Sequence, residues 1–190
     1  MGGTYQDRLE AVYQCPNADC ERLFLAFFLD VNKEPGGRAF YFLRHLAPMA
    51  VKEVSFGEEL LALSPAFAKI YNQAAAAEAH QLDEIAGAGY RKALEFLVKD
   101  FAIKQAQDKA EEIKAASLKN VIDGYITDAN AQQMATFAAW LGNDEVHYLR
   151  KWTSQDIDDL KSLIHLVKND VENVLLMEKY KATMSKPSGG

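Results

Sequence analysis

The segment from Ile85 to Asp100 constrains the fold more than any other part of the chain. Small and apolar residues recur in it at the spacing of one helix face. The pattern predicts a helix from Leu82 to about Gln105 that buries Ile85, Gly89, Ala93, Phe96 and Leu97. Gly87 and Gly89 each lower helix propensity by about 1 kcal/mol relative to alanine, a cost usually offset by close contact with another helix. We therefore expect this helix at the centre of a bundle.

Further helices are expected before and after it. Ser64 and Pro65 suit the cap and first position of a helix that runs to about Gln81 and buries Phe67, Ile70, Tyr71 and Ala74. Shorter helices are expected over residues 117–125 and 129–141, the latter stopped by Gly142. Residues 106–116 are charged, which predicts an exposed helical extension or a mobile connector. Thr153 or Ser154 is expected to cap a final helix through Lys179 whose core residues are Ile157, Leu160, Leu163, Ile164, Val167, Val171, Val174 and Leu175.

The first 60 residues have a different character. Residues 21–31 and 38–46 are rich in Phe, Leu and Tyr, and residues 32–37 between them are turn formers, which predicts a β-hairpin. A further short extended piece is expected over residues 51–56. The predicted fold class is α+β, mainly α: a β-rich element over residues 1–60, a helical bundle over 61–182 and a flexible tail over 183–190.

Charge and composition exclude several functional classes. The chain has 27 acidic and 21 basic residues, a formal net charge of −6, so its overall field does not favour an extended DNA backbone. The N-terminus has no basic segment followed by an apolar run, and Gln6 stands where a myristoylation motif needs Ser or Thr. We expect a cytoplasmic protein without membrane attachment. No phosphate-binding glycine loop or His-Glu-x-x-His motif is present, and no cofactor is expected.

Cys15 and Cys20 are the only two cysteines in the chain. A structural zinc site wants four ligands, usually as two such pairs, and the sequence holds no second pair. His45 is the nearest candidate for a third ligand. We expect two reduced thiols on either side of a turn and no metal within one chain, with the pair a weak half-site that a second chain could complete.

The most polar candidate site is Gly142-Asn143-Asp144-Glu145-Val146-His147, followed by Arg150, Lys151 and Trp152. Asn143 is expected to cap a new helix, with Asp144 and Glu145 in its positive first turn. His147 and Arg150 would then share a helix face. A histidine there could carry a proton near neutral pH, or it could bond a neighbouring carbonyl or carboxylate.

Other side chains complete the candidate site. Arg91 could approach from the central helix as a cation, or it could pair with Glu95 four residues later. Tyr90 and Trp140 are interpreted as core or interface aromatics. The expected ligand- or partner-binding residues are Arg91, Tyr90, Asp144 and Lys151.

Three segments carry a family resemblance: residues 63–74, residues 85–100 and residues 140–147, together with the Cys-Pro start. They resemble the bacterial and phage family called domain of unknown function 4145, which is similar to the HEPN superfamily of helical domains. The resemblance implies a HEPN-like bundle, a homodimer and an association with restriction or antiphage systems. Many HEPN proteins are metal-independent RNases whose signature is an Arg, often a polar residue, then a His. His147 and Asn143 match that pattern, but Gly142 stands in place of the Arg.

Two functions follow as expectations. The first is a dimeric binding or regulatory module that recognises a partner protein, a nucleotide or an RNA end without cleaving it. The missing Arg and the acidic balance favour it. The alternative is a divergent metal-independent endoribonuclease with His147 as acid or base, Asn143 holding phosphate, and Arg150 or Arg91 as the cation. That enzyme requires His147 and an Arg, or two copies of His147, to meet in one open cleft.

Overall fold

A computed structural model describes residues 8–18, 20–30, 40–47, 51 and 53–184. The chain divides into two compact units, Met1–Lys52 and Glu53–Gly190, so the boundary lies before the predicted residue 60. The first unit holds a small antiparallel sheet and the second holds the helices. The fold class is α+β and mainly α, as the sequence predicts.

The sheet of the first unit has the order β1-β2-β3, with β1 at Arg8–Gln14, β2 at Leu23–Asp30 and β3 at Tyr41–Ala47. The predicted hairpin is confirmed, because β2 pairs with β3 in antiparallel register, interrupted by a bulge between Phe27 and Phe28. Its predicted turn, residues 32–37, lies outside the described residues. Strand β1 was not predicted, although Leu9, Ala11 and Tyr13 alternate with Arg8, Glu10 and Gln14, and Val12 alone interrupts the alternation.

The extended piece expected over residues 51–56 is not a strand at its described positions. Its backbone is held by a side chain instead. The amide of Asn72 accepts a hydrogen bond from the Val54 N–H at 2.8 Å and donates one to the Val54 carbonyl at 3.1 Å. Phe56 meets Phe67 and Tyr71 edge-on, with ring centroids 5.1 and 5.6 Å away. One amide thus supplies both partners that a neighbouring strand would have supplied.

The helices of the second unit are α1 to α7, with a short 3₁₀ turn at Gln107–Lys109 between α3 and α4. Their bounds are Glu58–Leu63, Pro65–Ala79, Asp83–Gln105, Ala110–Ala115, Leu118–Tyr125, Ala129–Asp144 and Ile157–Thr183. No helix in the described part of the chain is long and apolar enough to cross a membrane.

Helix α3 is the centre of this unit, as predicted, and packs against α2, α5, α6 and α7. Ala93 and Leu97 are fully buried, but Ile85 is 64 % exposed, so its predicted core position is wrong. Ala86 and Gly87, the next residues of that first turn, face the interior instead. On α7 the predicted apolar stripe is confirmed: all eight residues are buried or packed on the core.

Helix ends depart from expectation in two further places. Ser64 precedes α2, but its hydroxyl donates to the Asp100 carboxylate and does not cap the helix. Helix α7 is capped by Asp156 in a reciprocal capping box with Asp159, so the predicted cap at Thr153 or Ser154 is wrong. The charged stretch 106–116 is largely solvated, yet Ile113 of α4 is fully buried and ties it to the core.

Candidate functional site

The site predicted at a helix start lies at a helix end. Helix α6 continues through Gly142 to Asp144, and no helix begins at Asn143. Gly142 is a packing residue: a Cβ there would lie 2.8 Å from Cγ and 2.9 Å from Cβ of Arg91. The glycine allows α3 to approach α6 closely, and α6 continues past it, so the predicted helix stop at Gly142 is wrong.

Arg91 crosses from α3 to α6 at this point. Its Nε donates to the Asn143 side-chain oxygen at 2.8 Å, and its Nη1 lies 3.6 Å from the Glu95 carboxylate. Asn143 is therefore held by Arg91 and does not cap a helix. The predicted Arg91–Glu95 pair is confirmed.

Asp144 organises the loop that follows α6. It is only 6 % exposed, and its Oδ2 accepts hydrogen bonds from the backbone N–H groups of Lys151 and Trp152, each at 2.6 Å. The expected role of Asp144 in a positive first turn is wrong, because the helix C-terminus carries the negative end of the dipole. The two N–H donors supply the stabilisation that the helix end does not. They also fold the loop back onto its own start.

A second clamp closes the same loop. Nη2 of Arg150 donates to Oε1 of Glu145 at 2.6 Å and to the Gln155 carbonyl at 3.2 Å. Glu145 also covers Gly87, where a Cβ would lie 2.7 Å from the Cβ of Glu145. Burial raises the pKa of Glu145 above its usual range; the nearby Arg150 opposes this shift, and the carboxylates of Glu84, Asp144 and Asp156 reinforce it.

The folded loop forms one wall of an open groove of about 700 Å³. Trp140 and Trp152 stack within it, with ring planes 8° apart and centroids separated by 5.8 Å. The two rings are 42 % and 41 % exposed, while Tyr148 is fully exposed and Leu149 is 76 % exposed. Also lining the groove are Asn143, Asp144, His147 and Lys151. Large apolar surface therefore faces solvent beside a few polar groups.

The structure brings together some of the predicted residues and separates others. Lining the groove are His147, Asn143, Asp144 and Lys151, and His147 is exposed in the loop after α6. Arg150 does not share a helix face with His147, because residues 145–156 are not helical; it pairs with Glu145.

Tyr90 lies away from the groove, in the core of the second unit. It is 1 % exposed, and its hydroxyl donates to Glu78 at 2.7 Å. Burial is the main cause of the raised pKa of Tyr90, and the hydrogen bond to Glu78 raises that pKa further. Its interpretation as a core aromatic is confirmed, and it offers no surface to a ligand.

Sequence reasoning missed Tyr148 and Leu149 and did not assign a role to Trp152. The sequence did contain a signal for them. Residues 148–152 include three large apolar side chains and show no helical periodicity. Such side chains in a loop between helices are typical of a contact surface.

The cysteines belong to the first unit. Cys15 and Cys20 lie in the β1–β2 connection as free thiols. His45 stacks on Phe27, with centroids 4.3 Å apart and planes at 11°. Within the described ranges, no group of three or more His, Cys, Asp and Glu side chains is placed to hold a metal ion.

No family model, curated protein or solved structure matches this chain. The resemblance to the family called domain of unknown function 4145 therefore rests on the three sequence segments and the Cys-Pro start alone.

Proposed function

We propose that the protein is a binding module that recognises a short apolar segment of a partner protein in the groove at the end of α6. The observation that carries this proposal is the exposure of Tyr148, Leu149 and both tryptophans along one groove. Tryptophan and tyrosine dominate the binding energy of protein interfaces, because each buries much surface at little cost in conformational entropy. A folded chain gains nothing by leaving such side chains in water.

The loop is also held ready for binding. Asp144 fixes the backbone at Lys151 and Trp152, and Arg150 joins Glu145 to Gln155. A surface that is ordered before binding loses less entropy when a partner arrives. Lys151 adds a charge at the groove and favours an acidic residue beside the apolar anchor of the partner segment.

The charge distribution argues against a phosphate ligand. Lys151 is the only lysine or arginine among the described residues that line the groove. The neighbouring guanidinium groups are engaged, Arg150 with Glu145 and Arg91 with Asn143 and Glu95. Nucleic-acid binding depends on several cations that neutralise phosphates, and this groove offers few.

The chain allows an unusually direct test. Its only two tryptophans both line the groove, so intrinsic tryptophan fluorescence reports on this site alone. Peptides would be selected from a random-sequence phage library against the wild-type protein and then titrated while emission is followed. We expect selected peptides with an apolar or aromatic anchor to shift the emission, and mononucleotides and short single-stranded RNAs to leave it unchanged.

Matched variants make the test specific. Tyr148→Ala should weaken binding of the selected peptide by about thirtyfold or more, since a hot-spot truncation costs about 2 kcal/mol or more. Tyr180→Ala, which removes an exposed tyrosine on α7 far along the chain, should not change its affinity. Failure to enrich any peptide, or equal binding by the Tyr148→Ala protein, would refute the proposal.

A metal-independent endoribonuclease is the second candidate, and one observation favours it: His147, Asn143 and Lys151 line the same open groove. Lys151 would then supply the positive charge of the signature Arg, whose position is occupied by Gly142. A mixed pool of small RNAs incubated with the protein in EDTA tests this function. Cleavage that leaves cyclic phosphate ends and disappears in His147→Ala would establish it, whereas no cleavage by the folded protein would exclude it for that pool.

The wider role rests on the sequence resemblance. We propose a HEPN-like, homodimeric protein that acts in bacterial defence or in phage–host conflict. In such a setting the partner segment in the groove would belong to another component of the same system, and its sequence would emerge from the selected peptides.

A further inference from the structure

The β1–β2 connection brings the only two cysteines of the chain together. The Cys15 N–H donates to the Arg22 carbonyl at 2.9 Å, which extends the hairpin by one step beyond the strands. The Asn17 carbonyl accepts from the N–H groups of Cys20 and Glu21 at 3.0 and 3.1 Å, and Glu21 has a φ of 47°. The turn thereby reverses the chain between the two thiols and places them side by side.

The Cys20 sulfur is exposed and has two hydrogen-bond donors beside it. It accepts a hydrogen bond from the backbone N–H of Arg22 and another from the Cys15 thiol. The positive charge of Arg22 lies near the same sulfur. Backbone N–H bonds to a ligating sulfur are outer-shell contacts of the kind that orient and tune metal ligands. The loop thus presents two neighbouring cysteine sulfurs, and cysteine binds metals in its thiolate form.

We propose that Cys15 and Cys20 form half of a structural zinc site, which a second copy of this chain completes with its own two thiolates. Four residues separate the cysteines, within the spacing typical of zinc ligand pairs. Structural zinc is almost always held by four ligands, and the described residues of one chain contain no group of three. Since the chain has no other cysteine, a tetrathiolate site requires two chains.

The surface beside the loop suits a second copy. Val12, Tyr13 and Leu23, at the loop end of β1 and β2, are 63 %, 46 % and 67 % exposed. A second hairpin joined through the metal would cover part of this apolar surface. Binding converts four thiols and one Zn²⁺ into a tetrathiolate complex of charge −2 and releases four protons, without any change in oxidation state. The two copies of Arg22 offset that charge.

The test uses the full chain, reduced with a phosphine, so that no added thiol competes for metal. Titration with Co²⁺ reports thiolate coordination through sulfur-to-metal charge-transfer absorption, and Zn²⁺ should then displace the Co²⁺. We expect saturation at one metal ion per two chains. The metal would then be the link that forms the proposed homodimer: sedimentation should show that the 21.2 kDa chain doubles in mass as the metal is added and returns to one chain with a chelator.

Cys20→Ser and Cys15→Ser should each lower the metal affinity by more than about tenfold and abolish the metal-driven increase in mass. Helical circular dichroism should stay unchanged in both variants, since the second unit contains neither cysteine. Saturation at one ion per chain, absence of charge-transfer absorption, or metal binding that survives both substitutions would overturn the proposal. None of these results depends on the groove at α6.

Discussion

Gly89→Ala tests whether close packing of α3 accounts for its glycines. A Cβ at this position would lie 2.8 Å from the Cβ and 3.3 Å from the Cα of Ala74 on α2. Non-bonded carbons prefer about 3.5–4.0 Å, so the two helices would have to move apart. Overpacking of this kind costs about 1–3 kcal/mol. The added helix propensity of alanine returns about 1 kcal/mol, which leaves the variant up to about 2 kcal/mol less stable than wild type.

Gly124→Ala provides the matched control, because a Cβ at this position of α5 has no atom within 4 Å. It gains the same helix propensity without the contact and should stabilise the protein by up to about 1 kcal/mol. The difference between the two variants therefore isolates the packing term of about 1–3 kcal/mol. Urea unfolding followed by helical circular dichroism measures both values, provided that the slope against denaturant stays constant.

Two results would refute this reasoning. One is a Gly89→Ala protein that is as stable as the Gly124→Ala protein. The other is a double variant, Gly89→Ala with Ala74→Gly, that recovers none of the lost packing energy although it removes the Cβ that is 2.8 Å away. Recovery of part of the loss would locate the clash at this pair of atoms.

Two further predictions concern the loop after α6. Asp144→Ala leaves the backbone N–H groups of Lys151 and Trp152 without their acceptor, and should cost about 1–3 kcal/mol. Hydrogen exchange of those two amides should accelerate, and Asp144→Asn, which keeps one acceptor, should show a smaller effect. Burial raises the pKa of Glu145 in the folded protein, so this carboxyl adds stability below its unfolded pKa that is lost as the pH rises through the folded pKa. Thermal unfolding of wild type and Glu145→Gln should be measured from acid to neutral pH, and the wild type should lose stability relative to the variant as the pH rises. A difference in stability that stays constant with pH would contradict a raised pKa of Glu145.

Periodicity predicted the helical core well, because burial on one helix face is a local pattern. Helix α3 begins at Asp83, one residue after the predicted start at Leu82, and it ends at Gln105 as predicted. The expected proximity of its glycines to other helices is confirmed at Gly89 and Ala74. Ile85 was wrongly predicted to be buried. Helical spacing shows which face of a helix is buried over several turns, but the first turn of α3 borders solvent, and Ile85 is exposed there.

The site could not be placed correctly for a physical reason. Gly142, Asn143 and Asp144 have the composition of a helix stop followed by a helix cap, and local rules cannot distinguish that from a continuing helix. The difference lies in Arg91, which is distant in sequence and fills the space that a Cβ of residue 142 would need. The cap of α7 was missed in the same way, since Thr153, Ser154 and Asp156 all have capping side chains and only Asp156 finds its reciprocal partner in Asp159.

The groove is coupled to the core through the contacts between α3 and the end of α6, which the local sequence pattern did not predict. Gly87 and Gly142 lie where α3 approaches the end of α6, and the side chains that fill the space are Glu145 and Arg91. Those two side chains hold Arg150 and Asn143 in turn. The position of the exposed aromatic loop is therefore set by helix packing beneath it. A change in that packing would reach the groove without altering any residue that lines it, so substitution of Gly87 or Gly142 should change peptide binding as well as stability if the proposed binding function is correct.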